Sequence, residues 1–220
     1  MSVYDFLYKH FRKFMSRFLY PTIVEKRYDV LPEGPIVLCA NHLSAVDVIL
    51  LICCTEERKI RFMAKKELFS VPFIGWLIKA MGSFPVERGA MDVPAIKKGV
   101  GLLKSGETVG IFPQGTRCAG VHPAQCEVKV HAGVGMMAER THATILPVSI
   151  ETKNFKIRPF RRVRLCYGKP IPYEEYVGLC EGREGHLAVS QMAFERVCSM
   201  IGDGKVEKPQ KSEKNKKTAK

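Results

Sequence analysis

Long apolar runs are missing from this 220-residue chain. The longest, Val48 to Cys54, falls well short of the roughly 20 residues a membrane-spanning helix requires. Any membrane contact is therefore expected at the surface. There is a single Trp, no CxxC pair and no internal repeat, which argues against common zinc modules and against repeat or fibrous architectures. Acidic residues are scarce as well: 22 against 35 Lys and Arg, for a formal net charge of +13. Residues 205–220 hold seven Lys and two Glu, so +8 of the surplus belongs to the body of the chain. Such a surplus favours anionic partners, whether nucleic acid, anionic lipid or phosphorylated substrates, or serves only solubility. No strand interleaves aromatic and basic residues and no nucleic-acid module is recognisable, so no nucleic-acid partner is expected.

What is present is ordinary globular composition, 46% hydrophobic and 26% charged, at a length that suits one folded domain. Cys39, Cys53, Cys54 and Cys166 lie in apolar or strand-like stretches. Lys9, Arg12, Lys13 and Arg17 interrupt the N-terminus, unlike a secretory leader. Buried, reduced thiols in a cytosolic compartment are therefore expected. Cys118, His122, Cys126 and His131 are the candidate metal ligands, but their spacing fits no common structural-zinc pattern, and no metal is expected.

Three segments are expected. In residues 1–30 an amphipathic helix occupies 1–20, with Val3, Leu7, Phe11, Phe14 and Phe18 on one side and Lys9, Arg12 and Lys13 on the other. That pattern suits a helix lying in a membrane interface, although packing on the protein's own core is the alternative. Residues 31–202 alternate strands with helices, giving an α/β domain with a mostly parallel central sheet flanked by helices. Strands are expected at 36–40, 60–64, 109–112, 145–150 and 163–167, with a short extended piece at 83–86. Helices are expected at 46–54, 72–81, 92–104, 133–140 and 186–201. Residues 203–220 form a Lys-rich tail expected to be disordered.

In parallel sheets, ligands collect beyond the carboxyl ends of strands. Two informative segments, 41–47 and 113–117, follow predicted strands directly. His42 can take a hydroxyl proton near neutral pH, and Asp47 can fix its tautomer if the two meet across a strand-to-helix loop. By itself such a pair more often has a structural role. Arg88 and Arg117 each close a segment beyond a strand, where two guanidinium groups could grip a phosphate beside a general base.

Four motifs now stand in order: Asn41-His42 with Asp47, Gly82 through Arg88, Phe112-Pro113-Gln114-Gly115-Thr116-Arg117, and Leu146-Pro147-Val148-Ser149-Ile150. In this combination the chain resembles the glycerophospholipid acyltransferases, and within them the 1-acylglycerol-3-phosphate (lysophosphatidate) acyltransferases. The resemblance spans roughly 35–172. It implies a glycerol-3-phosphate acyltransferase-like fold at the cytoplasmic face of a membrane, bound peripherally or monotopically. It implies His42 as general base oriented by Asp47, and Arg88, Gly115, Thr116 and Arg117 as the phosphate site of a lysophospholipid acceptor. The donor would be acyl-CoA or acyl carrier protein, as substrate, and no cofactor is implied. Val71–Met81 is a candidate lining for the acyl chain. Gln114 replaces the family's glutamate, and Cys118 its usual serine. Such changes fit an altered acceptor, a weakened lipid- or membrane-binding homologue, or a tolerated variation. Restoring Glu at 114 is expected to raise activity by tightening the arginine loop.

Overall fold

Seven strands form the centre of the molecule, in the order β1-β7-β6-β2-β5-β3-β4. The computed structural model describes residues 12–55, 58–87 and 93–206. The strands are β1 (Thr22–Lys26), β2 (Ile36–Ala40), β3 (Ile60–Lys65), β4 (Phe84–Val86), β5 (Thr108–Ile111), β6 (Thr144–Thr152) and β7 (Val163–Tyr167). All adjacent pairs run parallel except β6 with β7. The expected α/β class with a mostly parallel sheet is the observed one.

β2 lies at the centre because its IVLCA sequence has nothing to offer water, and all five residues are buried. Its Ile36, Leu38 and Ala40 face one layer, and Val37 and Cys39 face the other. On the first side lie the helical segment Phe14–Leu19, α1 (Val46–Cys54) and α2 (Ile74–Ala80). On the second lie α3 (Val93–Lys104), α4 (Gly133–Thr141), the short α5 (Tyr173–Tyr176) and α6 (Gly182–Cys198). α1 carries no polar stripe because its sequence, VDVILLICC, is apolar nearly all round and is buried from Leu50 to Cys54.

Several expectations change. β1 follows Pro21 and was not anticipated. It is a half-exposed edge strand, held by its ladder to β7 and by Arg164, which bonds Glu25 at 2.7 Å and the buried Glu151 at 3.0 Å. The hydrogen bond from Arg164 holds the Glu25 carboxyl below its ordinary pKa. The stability from that bond is thus present at neutral pH and lost as pH falls through the lowered pKa. Glu151 also accepts from the Gly204 N–H at 3.0 Å, so packing extends to residue 204.

Cys118 and Cys126 are joined in a disulfide, which corrects the expectation of thiols at these two positions. Their Cα atoms lie 6.1 Å apart, because the chain folds back over the seven residues between them. Both sulfurs are thereby withdrawn from metal ligation. Cys39, Cys53, Cys54 and Cys166 are buried free thiols, as expected. Residues 1–11, where most of the expected N-terminal helix falls, lie outside the described residues, as do Arg88 and 207–220. Among the described residues no helix is long and apolar enough to cross a membrane.

β6 is longer than β2 and runs past it. Beyond Ala40, paired with Val148, Asn41 continues the ladder with its side chain. Its Nδ2 donates to the Ile150 carbonyl at 2.9 Å, and its Oδ1 accepts from the Ile150 N–H at 2.7 Å. The amide thus substitutes for backbone at the point where the chain must leave the sheet. Asn41→Ala strands two buried backbone groups, at about 1–3 kcal/mol each. It is expected to lower Tm by roughly 5 °C or more in a thermal melt. An unchanged Tm would show that the ladder ends at Ala40.

Candidate active site

Because β2, β5 and β6 run parallel, their carboxyl ends lie along one edge, and the loops leaving β2 and β5 meet there. The meeting is a direct bond: the Cys118 N–H donates to the His42 carbonyl at 2.8 Å. Gln114, Gly115, Thr116 and Arg117 are therefore brought beside His42, as their places after the two strands suggested. Arg88 lies outside the described residues, just past Glu87 and β4.

His42 and Asp47 are both buried and joined, Nδ1 to Oδ2, at 2.8 Å. The same Oδ2 accepts from the backbone N–H groups of Leu43 at 2.6 Å and Ser44 at 2.8 Å. Asp47 sits in the first turn of α1, where a carboxylate is favoured by the aligned peptide dipoles. Its other oxygen, Oδ1, is buried without a hydrogen-bond partner among the described residues. A carboxylate holding Nδ1–H leaves Nε2 with a free lone pair, which is the acceptor a general base needs.

The imidazole is also held by its face. It stacks on Phe112 at 4.0 Å between ring centroids and 14° between planes, and Phe112 stacks in turn on Phe62 of β3 at 5.4 Å. Gly110 makes this stack possible, since a Cβ there would stand only 2.2 Å from the Phe62 ring. The positioning roles of Asn41, Phe62, Gly110 and the Phe112 ring were not read from the sequence. Each resembles ordinary core until the strand order places it beneath the histidine.

Beyond Phe112 the chain turns sharply. The Gly115 N–H donates to the Phe112 carbonyl at 3.0 Å, and Gly115 has φ +65°, a conformation that glycine adopts without strain. A Cβ there would also lie 3.2 Å from the His131 ring, and the His131 N–H bonds the Pro113 carbonyl at 2.8 Å. Thr116 and Arg117 are exposed, and no carboxylate among the described residues pairs with Arg117. The guanidinium is available to an anion.

Gln114 faces inward rather than toward this opening. It is 1% exposed, its Nε2 lies 3.1 Å from the Cys118 sulfur, and its Oε1 has no partner. In the segment expected to line the acyl chain, Val71, Phe73, Ile74 and Trp76 are exposed, while Gly75 and Met81 are buried.

A family model described as Acyltransferase matches residues 22–151, and the chain belongs to that family. Among similar curated proteins is the 1-acyl-sn-glycerol-3-phosphate acyltransferase of Bacillus subtilis. It is 31% identical, over 75% of this chain and 80% of that protein. The protein of the same name from Streptococcus pneumoniae is 31% identical over 61% of this chain. A chloroplastic one from Arabidopsis thaliana is 28% identical over 72%. The chain spans about half the length of these last two, 49% and 45%. The crystal structure of the 1-acyl-sn-glycerophosphate acyltransferase of Thermotoga maritima shares the fold. Its TM-score is 0.65 at 22% identity, covering 93% of this chain and 83% of that one.

The burial of Gln114 weighs against the gain expected from restoring glutamate. A carboxylate at this depth, with the Cys118 sulfur beside it and no cation bonded to it among the described residues, carries a desolvation cost of about 1–3 kcal/mol or more. Gln114→Glu is therefore expected to lower Tm by at least about 3 °C at neutral pH, and by less on acidification as the carboxyl protonates. A Tm that rises at neutral pH would mean that a cation reaches position 114.

Proposed function

We propose that this chain transfers a fatty acyl group from a thioester, acyl-CoA or acyl carrier protein, to the free hydroxyl of 1-acylglycerol-3-phosphate, giving phosphatidate. The supporting observation is the His42–Asp47 pair, with Nδ1 bonded at 2.8 Å, on a loop joined through the His42 carbonyl to the loop that carries Arg117, which no carboxylate among the described residues pairs.

The reaction needs few groups. Nε2 of His42 accepts the hydroxyl proton as the oxygen attacks the thioester carbonyl, forming the new C–O bond. The imidazolium that results is stabilised by Asp47. As the C–S bond breaks, the proton passes to the departing thiolate and His42 returns to its neutral form. No net oxidation occurs, and the proton count balances.

Arg117 binds the acceptor's phosphate, with Gly115 leaving room for close approach and Thr116 offering a hydroxyl. Arg88 takes the second position at the phosphate, a role that rests on its place in the motif alone. The substrate is a membrane lipid, so the chain works as a peripheral or monotopic protein at an anionic membrane surface, on the cytoplasmic face. The Phe face and basic face of residues 1–20 supply an interfacial helix.

His42→Ala is expected to lower turnover by about two to four orders of magnitude, and Asp47→Asn to be damaging too. A folded His42→Ala with wild-type turnover from a radiolabelled thioester would sink the mechanism. Arg117→Ala and Arg88→Ala are each expected to raise the acceptor's KM far more than the donor's. Equal effects on both substrates would count against phosphate contact.

A further inference from the structure

We propose that the carboxyl edge of the sheet docks on an anionic lipid bilayer at two points, the Phe18–Phe160 pair on one side of His42 and the Phe73–Trp76 pair on the other. This deepens the functional reading, because it rests on the acceptor being a membrane lipid, and it extends the contact from Phe18, at the end of the N-terminal segment, to Phe160, Phe73 and Trp76.

The strand directions place both pairs. Phe160 lies in the loop between the carboxyl end of β6 and the start of β7, closed at its base by Thr152 donating to the Arg162 carbonyl at 2.7 Å. The Phe160 N–H donates to the Leu19 carbonyl at 2.6 Å, which brings Phe18 to the same edge, and the two rings meet edge to face at 5.8 Å. On the other flank, the chain leaves the carboxyl end of β3 and enters α2. Gly75 lies so close to the Phe69 backbone that the first turn of α2 stays beside that end. Phe73 and Trp76 stack there at 6.1 Å. Between β7 and β3 stand β6, β2 and β5, so the two points are separated by four strand spacings, roughly 19 Å. The His42 loop lies between them.

Neither pair behaves as core. Phe18, Phe160, Phe73 and Trp76 are 61%, 66%, 73% and 53% exposed. Phe160 and Phe73 also have φ of +63° and +59°, a region bulky residues rarely occupy. Two strained, solvent-facing phenylalanines at one edge indicate that the side chains are held outward for something the isolated chain does not provide. An apolar contact is the chemistry they fit.

Charge selects a bilayer with anionic headgroups. Beside Phe160 is an open cavity of ≈ 650 Å³ lined by Lys156, Arg158, Arg161 and His122. Its one acidic lining residue among those described, Asp203, is paired with Lys205 at 2.9 Å. A phosphate headgroup satisfies these cations while the rings enter the interface, the combination that gives stable interfacial binding.

The test is co-sedimentation of the full chain with phosphatidylcholine vesicles, with and without phosphatidylglycerol. In parallel, turnover is measured with a short-chain, water-soluble 1-acylglycerol-3-phosphate. Wild type is expected to bind the phosphatidylglycerol vesicles more tightly, and less so as salt rises. Phe160→Ser and Trp76→Ser are each expected to weaken that binding about tenfold, and Phe160→Ser is expected to leave turnover of the soluble acceptor unchanged. The double variant Arg158→Gln/Arg161→Gln is expected to remove part of the salt-sensitive binding. It tests the same surface should an aromatic variant fail to fold. Wild-type binding by all three variants, or no preference of wild type for phosphatidylglycerol, would overturn the proposal. Absence of turnover with the soluble acceptor in wild type would instead sink the functional reading and leave the docking result standing.

Discussion

Asp47 Oδ2 accepts hydrogen bonds from His42 Nδ1 and from the backbone of Leu43 and Ser44, all within the turn that joins β2 to α1. The two backbone bonds fix the carboxylate to the loop, and the third fixes the imidazole to the carboxylate. Little freedom remains in the group, since helix, loop and ring are tied through one atom. Burial strengthens each of these bonds by keeping water away. Remove the carboxylate and the loop loses two N–H acceptors at the same moment as the ring loses its orientation. Structural and chemical demands on Asp47 therefore coincide, and no other acid in the described chain plays both parts.

The sheet supplies what that turn cannot. Asn41 pins the chain to β6 immediately before the histidine, and the Phe112–Phe62 stack supports the ring from β5 and β3. Four neighbouring strands thus converge on one side chain. Their parallel course puts every loop concerned at the same edge, which is why the loops that carry His42 and Arg117 meet without being close in sequence. The Cys118–Cys126 disulfide then closes the loop that follows Arg117.

Much of this was legible beforehand because local signals agreed. Strands such as IVLCA and TVGI are too short and too apolar for anything but a buried sheet, and the turns between them carry the expected Gly and Pro. The His42–Asp47 pair was readable because its five-residue spacing spans one loop and the first helical turn. What escaped depends on long-range placement. β1 has no apolar alternation, and its ladder to β7 joins residues about 140 positions apart. That β7 runs antiparallel is decided by the loop at Phe160, whose sequence carries no hairpin dipeptide. The disulfide was hidden because eight residues of separation fit a thiol pair, a metal site or a bridge equally well. Gln114 was read only as the motif position where glutamine replaces glutamate beside the arginine loop, and the turn at Gly115 leaves its side chain buried.

The account stands or falls on which nitrogen of His42 carries the proton. Nitrogen-15 NMR of the imidazole, in protein labelled at histidine and assigned by comparison with His42→Ala, reads this directly at a pH where the ring is neutral. A carboxylate on Nδ1 predicts the Nδ1–H tautomer, with Nε2 showing the shift of an unprotonated nitrogen. A neutral ring protonated at Nε2 would contradict the account, because that nitrogen would then have no lone pair to offer a hydroxyl.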